Sequence, residues 1–170
     1  MNNKEVMRSA IREYTVPHLR ERGFEGKYPH FRRKMENCIE LVSFQTNAWG
    51  GSFTVEVSAI FPGGTDTNFA QGCGKSPEDI TVFDTNRRYR LPGMYDRWFY
   101  YQDLYRRRTL FFVTEYQSVT EKEAEDFVPS KGFRLFRKFD VTQAERVCHE
   151  VNRQLEKAWV WLEKYEAKHC

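Results

Sequence analysis

A chain of 170 residues with 40% hydrophobic side chains and a net charge of +3 is long enough for one domain with a sizeable core. Its aromatic content of 16% and its 30% of charged residues exclude an intrinsically disordered chain. We expect a single domain over residues 1–170.

Membrane insertion and secretion are not indicated by the sequence. No stretch approaches the roughly eighteen continuous apolar residues of a membrane span, and charges interrupt the amino-terminal run MNNKEVMRSAIREY, where a signal peptide would have an apolar core. The four cysteines are widely spaced and never form C-x-x-C. We therefore expect a cytoplasmic protein with reduced thiols and no membrane association.

The first predicted element is an amphipathic helix over residues 3–22. Apolar residues recur along it at helical spacing, and Gly23 suits its end. Pro17 lies inside the helix and removes an amide donor, which predicts either a kink or a break with Thr15 capping a second short piece.

A run of strands follows the helix. Residues 38–46 are rich in β-branched and aromatic types, and residues 52–61 alternate between two faces. The connection TNAWGG is short enough for an antiparallel hairpin, and residues 28–34 could form a preceding strand, which gives a meander. One face of the second strand is apolar and consists of Phe53, Val55, Val57, Ala59 and Phe61. The other face is polar and consists of Ser52, Thr54, Glu56 and Ser58.

The middle of the chain is less regular. Residues 62–79 form the longest predicted loop, with a capped turn at Ser76, Pro77 and Asp79. The runs TVF, RRYRL, RWFYY and TLFFVTEYQ suit short strands, although residues 97–104 fit a helix equally well. Residues 121–127 suggest a short acidic helix, and the pattern of residues 133–139 fits a helix or a strand equally well.

The last element is a helix of about 25 residues, predicted from a capping box at Thr142 and Glu145. Trp161 lies off its apolar stripe, where an exposed ring would form a small hydrophobic patch. The stripe needs a partner surface, so we predict an α+β fold: one antiparallel sheet of five to six strands with both helices on one face. The stripe consists of Ala144, Val147, Cys148, Val151, Leu155, Ala158, Trp159 and Leu162.

Several short motifs resemble a known family. They are Gly23-Phe24, Phe31-Arg32, a strand ending in SFQTNAWGG, the run SFTVEV, and RYRLPG followed by DRWF. Together they resemble the bacterial family named domain of unknown function 4304, over roughly residues 15–101. The resemblance implies a single cytoplasmic domain and no particular chemistry, because the family has no assigned activity.

The segment 86–108 carries seven arginines against two aspartates, a local charge of +5 that leaves −2 for the rest of the chain. Arginine and aromatic side chains together could hold single-stranded nucleic acid by stacking and phosphate contacts. They could equally contact a protein or a small ligand. The third interpretation, favoured by the modest whole-chain charge, is that Leu91, Trp98, Phe99, Tyr100 and Tyr101 belong to the core with arginines along their rims.

Other motifs are weaker. GCGKS (72–76) resembles the end of a phosphate-binding loop but lacks its first glycine, because Phe69 stands there. The histidines have no metal-ligand spacing, and Cys148 and His149 are adjacent on a helix, so they point in different directions and suit a core thiol beside a surface imidazole. We expect no cofactor and no metal.

We predict a non-catalytic module that binds a protein or a small ligand through the sheet face or edge opposite the helices. The alternatives are single-stranded nucleic-acid binding through residues 86–108 and, less favoured, a hydrolase-type enzyme using Glu56, a residue that in such a strand more often faces solvent. A monomer or a homodimer fits equally. The candidate ligand-binding residues are Gln45, Trp49, Glu56, Arg88, Arg90 and Trp98.

Overall fold

The computed structural model describes residues 2–61, 75–93, 97–101, 104–105, 136–137 and 139–168. The predicted strand at 109–117 and the predicted acidic helix at 121–127 lie outside this part of the chain.

The amino-terminal helix is continuous but contains one widened turn. Helix α1 (Asn3–Ala10) leads through a π-helical turn (Ile11–Thr15) into α2 (Val16–Glu21). Pro17 has no amide hydrogen, and the π turn just before it shifts the bonding pattern, so that the Val16 amide donates to the carbonyl of Ile11. Thr15 makes no capping hydrogen bond, so the alternative of a capped break is wrong.

Gly23 ends this helix as predicted. It has a φ of +81°, and its amide donates to the carbonyl of Arg20 at 2.9 Å. The next amide, that of Phe24, reaches back to the carbonyl of Leu19 at 3.0 Å, which completes a Schellman motif. Phe24 and Leu19 are both buried, and the chain turns from the helix directly into the sheet.

The predicted antiparallel sheet is confirmed. Strands β1 to β4 form a meander in chain order, and the far edge of β4 is shared end to end by β5 and β6. The two main predicted strands are correct to within one residue at each end. The bounds are β1 Glu25–Lys27, β2 His30–Lys34, β3 Ile39–Thr46, β4 Ser52–Ile60, β5 Tyr89–Arg90 and β6 Phe99–Tyr100.

In the middle of the chain, the structure gives the secondary structure of segments that the sequence left open or predicted wrongly. Residues 81–83 are not a strand, because Val82–Asp84 form a 3₁₀ turn that Thr81 and Asp84 cap reciprocally. The described residues of the 97–104 stretch are not helical. Phe99–Tyr100 form β6, and Leu104 begins β7 (Leu104–Tyr105), which pairs with β8 (Phe136–Arg137) inside the ambiguous 133–139 stretch.

The long final helix, α3 (Val141–Glu166), packs on β4, β6 and α1. All eight residues of its predicted stripe are buried. The predicted cap is wrong: the N-cap is Asp140, whose Oδ1 accepts the amide hydrogen of Gln143 at 3.0 Å. Thr142 therefore lies inside the first turn rather than at the boundary, and Asp140 satisfies the unpaired amide of Gln143 in the way that a cap at Thr142 would have satisfied that of Glu145.

Both faces of the sheet are covered. The apolar face of β4 packs in the main core with the helices, on the side we call the helix face. The opposite side, here called the outer face, carries a second small core of Ile39, Leu41, Ile60, Ile80 and Val82. Every residue of β4 is buried, so the expectation of a solvated polar face is wrong.

The carboxyl end of α3 holds a carboxyl group in an unusual environment. Burial raises the pKa of Glu166 to about 7, and the neighbouring carboxylate of Glu40, itself 2% exposed, acts in the same direction. Glu40 is bound in turn by the guanidinium of Arg33. The folded protein therefore holds a proton on Glu166 at pH values where the unfolded chain has lost it.

This proton gives the first testable prediction. A carboxyl with a raised folded-state pKa makes stability fall as pH rises from about 4.5 to about 7. Glu166→Gln removes the titration, so we expect the variant to be more stable than the parent above pH 7, with the difference vanishing below pH 4.5.

Urea unfolding at a series of pH values measures the difference. Glu163→Gln, on an exposed position of the same helix, controls for the loss of one negative charge. Parallel pH profiles for the parent and Glu166→Gln would contradict the assignment.

Candidate functional site

The strand register brings three of the six predicted residues onto the outer face. Gln45 lies opposite Thr54, and Glu56 lies opposite Arg90 on its other side. Directly opposed residues of antiparallel strands project to the same face, so Gln45, Glu56 and Arg90 share it. Arg88 joins them through its contact with Glu56.

Glu56 is enclosed and ion-paired. Its Oε1 accepts from the Nε of Arg90 at 2.7 Å and lies 2.6 Å from Nη2, while its Oε2 lies 3.3 Å from the Nε of Arg88. The Glu56 side chain is 1% exposed, and those of Arg88 and Arg90 are 42% and 34% exposed. The expectation of a solvated Glu56 is therefore wrong: a buried carboxylate needs such partners, and the two guanidinium groups bridge it to the surface.

The outer face is closed over by residues 75–93, here called the cover segment. Arg32 donates to the carbonyls of Glu78 and Ile80, and Lys34 pairs with Glu78 at 2.9 Å. Ile80 and Val82 of the cover segment supply two of the five residues of the outer-face core. At the rim of the outer face, Gln45 is exposed and the side chains of Arg88 and Arg90 are 42% and 34% exposed.

The cover segment is tied down internally at Asp84. Its carboxylate accepts from Lys75 Nζ at 2.5 Å and from the amide and hydroxyl of Thr81 at 2.9 Å each. These bonds lower the pKa of Asp84 to about 2, with that from Lys75 the largest cause. Lys75 therefore binds within its own segment, Ser76 donates its hydroxyl hydrogen to Asp79 Oδ2 at 2.8 Å, and residues 72–74 of GCGKS lie outside the described residues.

Sequence reasoning missed part of the outer-face polar network. His30 Nδ1 lies 2.9 Å from the Ser43 hydroxyl, and the Ser58 hydroxyl donates to the carbonyl of Arg87 at 2.7 Å. Burial lowers the pKa of His30. His30 and Ser43 sit in phase with Glu56 across three neighbouring strands, so the register of the meander was the signal that could have found them.

The segment that carries many arginines and aromatic rings is mainly structural where it is described. Leu91, Phe99 and Tyr101 are buried in the main core, as the core interpretation predicted, whereas Trp98 and Tyr100 are half-buried. Arg87 lies over the ring of Tyr165, with Cζ 5.6 Å from its centre. Residues 106–108 lie outside the described residues.

Trp161 does not form a free patch. Its ring stacks against that of Tyr89 on β5, at 5.7 Å between centroids, and against that of Tyr165, at 5.1 Å. It is half-buried, so the condition for a hydrophobic patch at this position, an exposed ring, is not met.

Trp49 is the exposed tryptophan. It lies at the tip of the β3–β4 hairpin and is 96% exposed. Its amide donates to Asn47 Oδ1 and the Gly50 amide donates to the Asn47 carbonyl, both at 2.9 Å. Gly50 and Gly51 have φ values of +76° and +75°, a conformation that glycine adopts without strain.

Nucleophile and metal chemistry find little support in the described residues. Burial raises the pKa of the Cys148 thiol to about 12, and His149 is exposed, with Nε2 3.5 Å from a carboxylate oxygen of Glu145. No group of three or more potential metal ligands occurs within the described ranges.

A comparison with protein families identifies the family of this chain. The model of a family described as Domain of unknown function (DUF4304) matches residues 15–164. The chain belongs to this family. The match includes β1 to β6 and nearly all of α3, and so extends well past the resemblance at residues 15–101. Neither a curated protein nor a solved structure matches the chain. Among the described residues of this family member, no helix has the length and apolar character needed to cross a membrane.

Glu56 with Arg88 and Arg90, here called the ion cluster, gives the second testable prediction. Arg90→Met leaves the buried Glu56 carboxylate with only the 3.3 Å contact to Arg88. We expect it to lower the free energy of unfolding by about 2–3 kcal/mol. Replacing Glu56 itself should lower the free energy of unfolding by less, because the partly exposed side chains of Arg88 and Arg90 can then turn to water.

Urea unfolding of Arg90→Met, Glu56→Gln and the double variant measures this order. The double variant should be more stable than Arg90→Met. As a control, Arg12→Met, at an exposed position of the π turn, should leave the free energy of unfolding unchanged. Equal costs for Arg90→Met and Arg12→Met would show that the cluster does not support the fold.

Proposed function

We propose that the chain is a non-catalytic module that binds a protein partner through the hairpin tip and the adjoining rim of the outer face. The observation that carries the proposal is the 96% exposure of Trp49 on a turn whose backbone is fixed by hydrogen bonds.

Tryptophan at such a position suits an interface anchor. Its ring removes a large apolar area from water when a partner covers it, and tryptophan is enriched among residues that dominate binding energy. The turn is held from both ends, since the Asn47 amide also donates to the Ser52 carbonyl at 2.9 Å. A tip that is already ordered loses little conformational entropy on binding.

The other candidate residues fit the same surface. Gln45 is exposed near the hairpin on the outer face, and Trp98 presents its half-exposed ring beside β6, which pairs with the hairpin end of β4. Glu56 lies four residues along β4 from Ser52, about 13 Å at strand spacing. One partner covering about 800 Å², a patch about 30 Å across, would span Trp49 and the exposed edges of Arg88 and Arg90.

The same geometry favours a protein over the alternatives. Arg88 and Arg90 share the Glu56 carboxylate, and Arg87 lies against an aromatic ring, so part of the local positive charge is used inside the fold. This weakens the attraction for phosphates that single-stranded nucleic acid would require. Glu56, the residue named for hydrolase chemistry, is 1% exposed and engaged in ion pairs.

Site-specific photo-cross-linking in the source cell tests this function and is the third prediction. A photoreactive phenylalanine replaces Trp49, and in a matched control it replaces Met35, which is 44% exposed in the β2–β3 turn. We expect one reproducible protein adduct from position 49 that position 35 does not give.

Competition by excess unlabelled protein should remove the adduct, and competition by Trp49→Ala should not. A Trp49→Ala chain that keeps parental stability and competes as well as the parent would contradict the role of this side chain. Identical adducts from both positions would also count against the proposed surface.

A further inference from the structure

Two basic residues of α1 lie beside the hairpin that carries Trp49. Lys4 and Arg8 border one water-sized recess together with Thr46 and Phe53, which are paired at the hairpin end of β3 and β4. Trp49 follows Thr46 by three residues, at most about 10 Å of extended chain. The basic side chains therefore flank the hairpin tip on the helix face of the sheet, on the side opposite the outer-face rim.

These two basic side chains are not used inside the fold. Both are exposed, and neither forms an ion pair with a carboxylate of the described residues. Residues 45–53 of the hairpin carry no charge, and Glu5 is the only acid among residues 2–8. The Glu5 carboxylate accepts the amide hydrogen of Asn2 at 3.0 Å in the capping box of α1. The surface beside the tip therefore has a net positive charge and no internal partner for it.

The guanidinium of Arg8 is held in place before any partner arrives. Its Cζ is 5.8 Å from the centre of the Tyr28 ring, a cation–π distance. The Tyr28 ring packs in turn against that of Phe44, with centroids 5.5 Å apart, and its hydroxyl lies 3.4 Å from that of Thr46. Contact with a ring leaves the N–H groups of a guanidinium free to donate, and their fork geometry matches a carboxylate. A carboxylate is thus the group that fits beside the hairpin tip.

We propose that the segment of the partner protein that covers Trp49 is acidic. Apolar side chains of this segment cover the Trp49 ring, one carboxylate accepts two hydrogen bonds from Arg8, and Lys4 attracts further negative charge. The inference rests on the proposed function, because it names the chemistry of the partner at the same hairpin tip. It also extends the contact surface across the tip, from the outer-face rim to α1.

The same surface suits the other two classes of anionic partner less well. A single-stranded nucleic acid needs several aromatic rings for successive bases, whereas Trp49 is the only exposed aromatic residue of the hairpin. A lipid surface is bound by the apolar face of an amphipathic helix, and in α1 that face is already packed in the core through Met7 and Ala10. These observations favour an acidic protein segment.

Competition for the adduct from position 49 tests the inference and is the fourth prediction. The labelled chain carries the photoreactive phenylalanine, and unlabelled chains with the native Trp49 compete with it. About tenfold more of the double variant Lys4→Gln/Arg8→Gln than of the parent should be needed to halve the adduct, because both charges are lost. The matched control Lys157→Gln/Lys164→Gln removes two charges from exposed positions of α3 and should compete as well as the parent.

Further measurements separate carboxylate recognition from general attraction. Arg8→Lys keeps the charge but loses the fork, so it should compete several-fold less well than the parent. Raising sodium chloride from about 50 mM to about 300 mM should weaken competition by the parent and reduce its advantage over the double variant. Mass spectrometry should place the cross-link in a partner segment with net negative charge. Urea unfolding verifies that each variant keeps parental stability.

The outcomes distinguish the inference from the proposed function on which it rests. A protein adduct that the parent and the folded double variant compete equally well would overturn the acidic partner and leave the proposed function standing. A cross-linked protein segment without net negative charge would do the same. An adduct with lipid or nucleic acid in place of protein, or no adduct from position 49, would contradict both.

Discussion

Strand β4 brings a carboxylate into a part of the fold that water does not reach. Glu56 is enclosed because both faces of β4 are covered, and it is tolerable there because Arg88 and Arg90 reach it from the edge. That requirement fixes the pairing of β5 with β4 at Glu56 and Arg90. With β5 placed, the part of the cover segment that precedes it, residues 75–88, must cross the outer face, where Ile80 contributes to the second core. The ion cluster thus links the sheet edge to the cover segment. It also directs Arg88 and Arg90 towards the buried carboxylate, whereas free arginines at this position would favour an anionic partner.

Local periodicity was sufficient to predict the elements that bury one stripe or one face. The stripe of α3, the β-branched and aromatic composition of β3 and the alternation in β4 predicted a helix and two strands, and the structure confirms these elements. Alternation could not reveal that the polar half of β4 is also buried, since it distinguishes two faces without saying what covers either. The covering residues come about twenty positions later in the chain. The misplaced cap at Thr142 has a local origin: Asp140 and Thr142 both suit an N-cap, and spacing alone did not separate them.

The candidate sites were accessible to sequence reasoning to different degrees. A hairpin with a short turn sets its own register, so Gln45 and Glu56 could be placed on one face, and an aromatic residue inside a tight turn, Trp49, has little around it to bury it. The aromatic contacts of α3 with the sheet, such as that of Trp161 with Tyr89, could not be found in this way. Register carries information between neighbouring strands, whereas packing of a helix on a sheet brings together positions that no periodicity relates.

The central claim is that β4, the ion cluster and the cover segment form one cooperative unit, with the Trp49 turn projecting from it. Native-state hydrogen exchange tests this most directly. The amide of Leu91, bonded to the Val55 carbonyl across the β4–β5 pair, and that of Glu56, which faces β3 opposite Ser43, should exchange only through global unfolding, with the opening free energy measured by urea denaturation. The amide of Ala48, in the exposed turn, should exchange much faster. A lower opening free energy for Leu91 than for Glu56 would show that β5 and its arginines detach separately, and would contradict the account.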